Sequence, residues 1–231
     1  MIFVTGDTHR LKDVKKLNNE NFKMQSRLTR EDFLIVAGDF GAIWSGGEKD
    51  KEVIDFYENK NFTTLFIAGN HENHPLLNSY PVEIWNGGKI HRISEHVIHL
   101  MDGQVFEIDG KTIFTMGGAT SVDKAYRTEG ETWWPEEEPS LEVKEEGLSN
   151  LAKYDNTVDY IITHTCPEFI KEEFGKQFEK FINYESAVEQ YLEIIMDTVK
   201  YKKWYLGHLH VDKTVRQFNL EILYNNIERL L

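Results

Sequence analysis

Five short apolar runs in this chain each end at a small residue, and each is followed by a side chain that can bind a metal ion. Runs rich in β-branched and aromatic residues that stop at such a residue are typical of buried strands. In open α/β sheets, ligands bind outside the carboxyl ends of the strands. The sequence therefore predicts that five polar side chains meet at one edge of the sheets: Asp7, Asp39, Asn70, His164 and His208.

Carboxylate, amide and imidazole groups together form a ligand set that suits a metal centre. An aspartate at a strand end, such as Asp7 or Asp39, also suits the cap of a following helix, and taken singly we favour that role. The combination with His208 and His210, which stand one residue apart, favours metal binding for the set as a whole.

The first part of the chain has the spacing of strand–helix–strand units. Asp7 to Asp39 and Asp39 to Asn70 each cover about 30 residues, which is the size of such a unit. Apolar residues fall on one helical face from Leu11 to Leu17 and again from Glu48 to Asn59, so we expect a helix in each stretch.

The middle of the chain changes character between Val82 and Met116, where Asn-Gly and Asp-Gly pairs separate short alternating segments. Such pairs indicate hairpins, and we expect a further hairpin from Lys213 to Tyr224. An amphipathic helix is expected from Tyr184 to Tyr201. The order of elements predicts an α/β fold, with two mixed sheets in a β-sandwich flanked by helices.

An irregular excursion is predicted from about residue 119 to 149. The adjacent Trp133 and Trp134 are followed by two prolines around an acidic run, a composition that argues against regular structure. We interpret the run Glu136–Glu138 as a solvated face. The excursion ends in an expected helix from Leu141 to Leu151, with Ser140 as its cap.

Charge and cysteine content limit the partners and the compartment. The formal net charge is −13 and the sequence contains no cluster of lysine and arginine, which argues against long nucleic acid as a partner. Cys166 is the single cysteine, which fits a reducing compartment, and no apolar stretch is long enough to span a membrane. We therefore expect a cytoplasmic protein without a membrane partner.

Written in order, the candidate side chains form five blocks: Gly6-Asp7-Thr8-His9, Gly38-Asp39, Gly69-Asn70-His71-Glu72, Thr163-His164 and Gly207-His208-Leu209-His210. In type and order they resemble the blocks of the calcineurin-like metallophosphoesterases, which are Asp-x-His, Gly-Asp, Gly-Asn-His-Glu, His and Gly-His-x-His. The resemblance extends over nearly the whole chain. It implies the four-layer fold of that family, with residues 1–231 as a single domain.

The resemblance also implies two divalent metal ions. Asp39 would bridge them, one ion would be held by Asp7, His9 and His210, and the other by Asn70, His164 and His208. Two ions about 3.5–4 Å apart activate a bridging hydroxide and clamp the oxygens of a phosphoryl group. Positive charge in excess of the carboxylates suits a phosphate ester. Mixed nitrogen and oxygen ligands suit Mn, Fe, Zn, Co or Ni, and we favour Mn.

Three further residues are candidates for contact with substrate. By the same resemblance His71 is no ligand, but stabilises the phosphoryl oxygens or protonates the leaving oxygen. Many relatives carry an acid that orients this histidine where this chain has Ala42, and Glu72 or another acid is a candidate replacement. Arg10 either presents its guanidinium to a phosphate or is a solvated residue. Arg127 lies in a tract that either crosses the site as a lid or is a surface loop.

The sequence thus predicts a metal-dependent hydrolase of phosphate monoesters or diesters, with a small molecule or nucleotide as substrate. One alternative is an inactive scaffold that keeps the fold, for which Ala42 is the one point of support. A scaffold is free to lose His71 or a histidine of the last block, and this chain has kept them. A serine/threonine protein phosphatase or a nuclease is the other alternative.

Overall fold

The computed structural model describes residues 1–174 and 185–231. Its strands, numbered β1 to β13 in chain order, are Ile2–Thr5, Phe33–Ala37, Thr63–Ile67, Val82–Trp85, Gly88–Arg92, Val97–Leu100, Gln104–Ile108, Lys111–Met116, Tyr160–Thr163, Lys203–Leu206, Lys213–Val215, Leu220–Ile222 and Ile227–Leu230. Its α-helices, α1 to α5, are Glu48–Glu58, His74–Leu77, Leu141–Ala152, Glu168–Glu173 and Ala187–Thr198.

The strands form two mixed sheets. The order is β13-β1-β2-β3-β6-β5-β4 in the first sheet and β11-β12-β10-β9-β8-β7 in the second. Strands β1, β2 and β3 run parallel to one another, and so do β8, β9 and β10. The strands that precede the predicted ligands, β1, β2, β3, β9 and β10, all belong to these parallel sets, so their carboxyl ends share an edge within each sheet.

The two sheets pack face to face, and helices cover their outer faces. Along β2, Ile35 and Ala37 join the apolar cluster between the sheets, whereas Leu34 and Val36 join the cluster that includes Val53 of α1. On the far side, α3 and α5 cover the second sheet over a third apolar cluster. The predicted fold class, an α/β sandwich of two mixed sheets flanked by helices, is confirmed.

The first predicted helix is wrong, whereas the second is confirmed as α1. Leu11 to Leu17 contains only a 3-10 helix at Val14–Leu17, and another follows at Lys23–Arg27. Apolar residues spaced by three, as in this stretch, fit a 3-10 helix as well as an α-helix. A pattern this short therefore cannot distinguish the two kinds of helix. The 3-10 turn buries Lys16, whose ammonium donates to the carbonyl oxygens of Gly6 and Asp7 at 3.0 and 2.6 Å.

The predicted hairpins are present with one exception. β4 and β5 pair antiparallel, as do β7 and β8 and the terminal β11 and β12. The Asp102-Gly103 pair instead carries the chain from the first sheet to the second. The half-buried Asp102 carboxylate accepts the Gly117 amide at 2.6 Å. The sequence analysis also missed β13, which pairs antiparallel with β1.

The later helices agree with the sequence in part. α3 begins after Ser140, whose hydroxyl accepts the amide of Val143. α5 lies within the predicted Tyr184–Tyr201 helix, of which Tyr184 falls outside the described residues. Among the described helices, none has the length and apolar character needed to cross a bilayer.

The packing of α5 generates a stability prediction. Ile195 is 0% exposed beneath the helix, whereas the adjacent Ile194 is 50% exposed. We expect Ile195→Ala to lower the free energy of unfolding by about 2–5 kcal/mol, because it leaves a cavity in the core. Ile194→Ala, the matched control, should change it by about 0.5 kcal/mol or less. Urea denaturation measures both, and equal losses would contradict the described orientation of α5.

Candidate metal centre

Four of the predicted ligands form a compact cluster at the carboxyl ends of the parallel strands. One ligand atom from each of Asp7, His9, Asp39 and His210 lies within 4.8 Å of all the others. His9 Nε2 is 3.1 Å from Asp39 Oδ2, and His210 Nε2 is 3.1 Å from Asp7 Oδ2. These four side chains come from both sheets, so the cluster exists only where the sheets meet.

The other predicted ligands lie on the opposite side of Asp39. His164 Nε2 is 3.2 Å from Asp39 Oδ1 and 3.1 Å from Asn70 Oδ1. The ring of His208 packs edge-on against that of His164, with 4.9 Å between their centroids. Asp39 therefore presents one carboxylate oxygen to each group, Oδ2 toward His9 and Oδ1 toward His164.

The donor set fits divalent ions. Asp7 Oδ2 is buried, and His210 Nε2 lies 3.1 Å from it without the geometry of a hydrogen bond. A buried carboxylate oxygen that accepts no hydrogen bond is costly, and a cation held between it and His210 would compensate it. Imidazole nitrogens together with carboxylate and amide oxygens, without thiolate, are ligands that first-row divalent metals accept.

Two of the imidazoles are oriented by partners behind them. His9 Nδ1 contacts Asp13 Oδ2 at 2.7 Å, and His164 Nδ1 donates to the Ala37 carbonyl oxygen at 2.9 Å. In both rings Nε2 is thereby left to face Asp39. Such contacts fix the tautomer and the ring orientation of metal-binding histidines. The sequence analysis missed Asp13, although its position four residues after His9 was an available signal.

Without a cation, the buried charges compensate one another. Burial alone raises the pKa of Asp39, but the charge and hydrogen bond of His164 outweigh it and hold that pKa well below its usual range. Burial lowers the pKa of His164, and Asp39 and Asp7 more than reverse this, raising it to about 9. A divalent ion bound here would replace the proton on His164, as metal binding releases protons from its ligands.

Four predicted ligands have backbone conformations that are uncommon outside glycine. Their φ angles are positive, at 42°, 47°, 62° and 52° for His9, Asp39, His208 and His210. Residues held in this left-handed region cost free energy and tend to cluster at functional sites. The residues with this strained backbone are the same residues whose side chains converge on the proposed metal centre.

The glycines before Asn70 and His208 are required by close approach. A Cβ added to Gly69 would lie 2.1 Å from Asp39 Oδ1, and one added to Gly207 would lie 2.2 Å from Asp7 Oδ1. Real Cβ atoms essentially never make such contacts. In these two blocks, the glycine at the strand end therefore makes room for a carboxylate of the neighbouring strand end.

His71 lies beside the cluster and is half-buried. Its Nε2 is 4.0 Å from Asp39 Oδ2, and its Nδ1 is 3.2 Å from Nη2 of Arg127. Burial lowers the pKa of His71, Asp39 opposes the shift, and Arg127 adds to it. The tract from Ser121 to Arg127 thus reaches the site.

Glu72 does not contact His71 in place of the acid missing at Ala42. Its buried carboxylate accepts the Gly41 amide at 2.9 and 3.1 Å and so holds the loop that follows Asp39. Arg127 is the group beside His71, and it is itself held by Asp123 through a 2.6 Å contact to Nε.

The guanidinium of Arg10 is engaged by the protein. Its Nη2 lies 2.9 Å from Asp50 Oδ1, and its Nη1 donates to the Gly41 carbonyl oxygen at 3.3 Å. Arg10 also lines a cavity of about 220 Å³ together with His9, Gly41, Trp44 and His71. The Arg10 side chain therefore lies at the edge of the cluster of predicted metal ligands.

One expectation for the excursion is wrong. Glu137, in the run interpreted as solvated, is 1% exposed. Its carboxylate accepts from the Ser121 amide at 2.9 Å and from the Ser121 hydroxyl at 2.5 Å. The Ser121 hydroxyl oxygen in turn accepts from Asn70 Nδ2 at 3.0 Å. These partners are far apart in sequence, and nothing in an irregular segment indicated their contact.

One family profile and two solved structures are similar to this chain. The profile of the calcineurin-like phosphoesterases matches residues 1–212. A phosphopantetheinyl hydrolase from Mycobacterium tuberculosis is similar in structure, with 15% identity, a TM-score of 0.44 and coverage of 96% of this chain and 86% of that chain. A protein of unknown function from Aquifex aeolicus is similar with 17% identity, a TM-score of 0.34 and coverage of 71% and 80%.

No curated protein matches the chain. The family profile, however, covers all five blocks and most of the sequence. This chain belongs to the calcineurin-like phosphoesterase family.

Proposed function

We propose that this protein hydrolyses phosphate esters of small molecules, nucleotides included, with two divalent metal ions. Membership of the family supports metal-dependent phosphoester hydrolysis in general. The observation that carries the proposal is the geometry of Asp39, which is 1% exposed and directs one oxygen to each of two groups of nitrogen and oxygen ligands.

The ligands divide between the two ions according to their contacts. Asp7, His9 and His210 would hold one ion, because their ligand atoms cluster with those of Asp39. The other ion would be held by Asn70, His164 and His208, with Asp39 shared between the two. The ligand types suit Mn, Fe, Zn, Co or Ni, and we retain Mn as the favoured metal.

Two ions bound by these residues would supply an activated water and neutralise the charge of a phosphoryl group. Beside them, the His71 imidazole is half-exposed and its Nε2 lies 4.0 Å from Asp39 Oδ2. In its neutral form the ring N–H would donate to a phosphoryl oxygen, and in its protonated form the ring would give a proton to the departing alcohol. Arg127, 3.2 Å from that ring, would bring a second positive group toward the phosphate.

The substrate is proposed to be small. The net charge of −13 repels extended polyanions, whereas the ions would attract a single phosphate group.

The pairing of β1 with β13 joins the two ends of the described chain in one sheet and supports residues 1–231 as a single domain. We retain the cytoplasm as the proposed location.

The ligand assignment predicts distinct metal contents for single variants. Asp39→Asn should lose both ions, because it removes charge from the shared ligand, whereas His210→Ala should lose one. Asp109→Asn, on an exposed turn, is the matched control and should keep both. Mass spectrometry of the metals after dialysis against Mn²⁺ and gel filtration measures this. Two ions retained by Asp39→Asn would refute the bridging role.

Catalysis predicts a separate loss at His71. The metal-loaded protein should hydrolyse members of a panel of phosphate monoesters and diesters, and a chelator should abolish the activity. His71→Ala should lower kcat by about 10²–10⁴-fold with metal content unchanged, as expected for loss of a group that transfers a proton. His96→Ala, which changes the residue just before the amino end of β6, is the control. A wild-type protein that holds both ions and hydrolyses nothing would leave the inactive scaffold as the better account.

A further inference from the structure

An open cavity beside the cluster extends past the residues of the proposed chemistry. It has a volume of about 220 Å³ and is lined by His9, Arg10, Gly41, Trp44 and His71. Two of these residues also face the shared carboxylate, His9 at 3.1 Å and His71 at 4.0 Å from Asp39 Oδ2. The cavity therefore opens directly onto the place where a phosphoryl group would react.

Trp44 forms a wall that is held in place. Its backbone amide donates to Asp50 Oδ2 at 2.8 Å, and its carbonyl oxygen accepts from Asn73 Nδ2 at 2.7 Å. Its ring meets that of Trp134 edge to face, with centroids 5.1 Å apart. A ring already ordered in this way loses little conformational freedom when a ligand stacks on it.

The charge of Arg10 is compensated inside the protein. The Asp50 carboxylate faces its guanidinium at 2.9 Å and is 3% exposed. The cavity is therefore poorly suited to a second phosphate. The lining instead consists largely of planar groups, a guanidinium, an indole and two imidazoles, and guanidinium and aromatic groups both stack on aromatic rings.

We propose that this cavity binds a planar aromatic ring on the leaving-group side of the ester, stacked on Trp44. The inference rests on the proposed hydrolysis and adds the substrate class to it. The volume of the cavity, about 220 Å³, is below the roughly 300–1,000 Å³ of pockets for drug-sized ligands and therefore suits one ring system. A nucleobase and a simple aromatic alcohol share this chemistry.

Two matched pairs of esters test the inference. Adenosine 5′-monophosphate is compared with ribose 5-phosphate, and benzyl phosphate with cyclohexylmethyl phosphate, because each pair releases the same kind of primary alcohol. We expect kcat/KM to favour the aromatic member of at least one pair by about 5- to 100-fold, the range of base–aromatic stacking. The pair that responds identifies the nucleobase or the simple ring.

Variants then assign the preference to Trp44. Trp44→Ala should abolish the preference, bringing the kcat/KM ratio within the responding pair to about 1, while Trp44→Phe should retain most of it. Tyr126→Ala removes a 93% exposed aromatic ring outside the cavity and should change nothing. An unchanged ratio in Trp44→Ala, in protein that melts like the wild type, would overturn the inference.

Measurements of binding test this inference separately from the proposed function. Calorimetric Kd values for adenosine 5′-monophosphate and ribose 5-phosphate, and for the benzyl pair, need no turnover. A protein that hydrolyses none of the esters but shows the Trp44-dependent difference in Kd would refute the hydrolase and keep the aromatic site. Equal Kd values within both pairs would refute the site.

An independent observation concerns the amide of Asn70. The single proton of the Ser121 hydroxyl is donated to Glu137 Oε2 at 2.5 Å, so toward Asn70 the hydroxyl oxygen can only accept. Asn70 Nδ2 must therefore face Ser121, at 3.0 Å. Its Oδ1 is left to face His164, where the second ion is proposed to bind.

We infer that Ser121 and Glu137 are positioning residues that fix the Asn70 oxygen toward that ion. Ser121 and Glu137 are each 1% exposed, so water does not readily replace either contact. Loss of the Ser121 hydroxyl would let the amide rotate and present its NH₂ group to the cation. The excursion would then contribute to metal binding through the buried Ser121 and Glu137. It would also contribute Arg127 to the mouth of the site.

Calorimetric titration with Mn²⁺ tests this inference, which rests on the proposed metal centre. Ser121→Ala should weaken one of two binding events by about 10- to 100-fold, the usual effect of removing a group that orients a ligand. Ser121→Thr should restore the affinity, and Glu136→Gln, on an exposed neighbour, should match the wild type. Two unweakened events in Ser121→Ala would refute the role of Ser121 alone, whereas a wild type that binds no ion would refute the metal centre too.

Discussion

The carboxylate of Asp39 is the group on which the rest of the site depends. It is buried between two sets of side chains, and each of its oxygens lies just over 3 Å from an imidazole nitrogen of a different set. A carboxylate in such a place is stable only if positive charge surrounds it. Asp39 and Asp7 raise the pKa of His164 to about 9, which shows how strongly these carboxylates attract a positive charge. The same charge demand makes the pocket suited to divalent ions.

Convergence on Asp39 explains the architecture around it. The first sheet contributes the strand ends that precede Asp7, Asp39 and Asn70, and the second sheet contributes those that precede His164 and His208. Neither sheet alone assembles both sets. The cost appears in the left-handed backbone of Asp39 and His208. Gly38, Gly69 and Gly207 lack the Cβ atoms that would otherwise collide with His164, Asp39 and Asp7, respectively.

The sequence predicted most of this site because its signals were local. A strand end, a glycine and a ligand type occupy three adjacent positions, as in Gly69-Asn70, and the parallel order of strands then brings distant blocks to one edge. Contacts between irregular segments carry no such signal. Glu137 was interpreted as solvated because acidic runs usually are, yet its partner Ser121 buries it. Trp44 could be assigned to the cavity only when Arg10 and His71 were seen beside it.

The fold was predictable to the same extent and for the same reason. Alternating and continuous apolar runs indicated two sheets, whereas a three-residue spacing from Leu11 to Leu17 fitted two kinds of helix and gave the wrong one. The last strand, β13, contains charged residues at Glu228 and Arg229 and is defined by its pairing with β1. The local sequence pattern does not predict that a polar strand at the edge of a sheet pairs with a strand far away in the chain.

Anomalous diffraction from crystals grown with excess Mn²⁺ tests the central claim most directly. The account predicts two anomalous peaks about 3.5–4 Å apart, with the Asp39 carboxylate between them. His9 and His210 should contact one peak, and His164 and Asn70 the other. A single peak, or peaks that Asp39 does not touch, would contradict it.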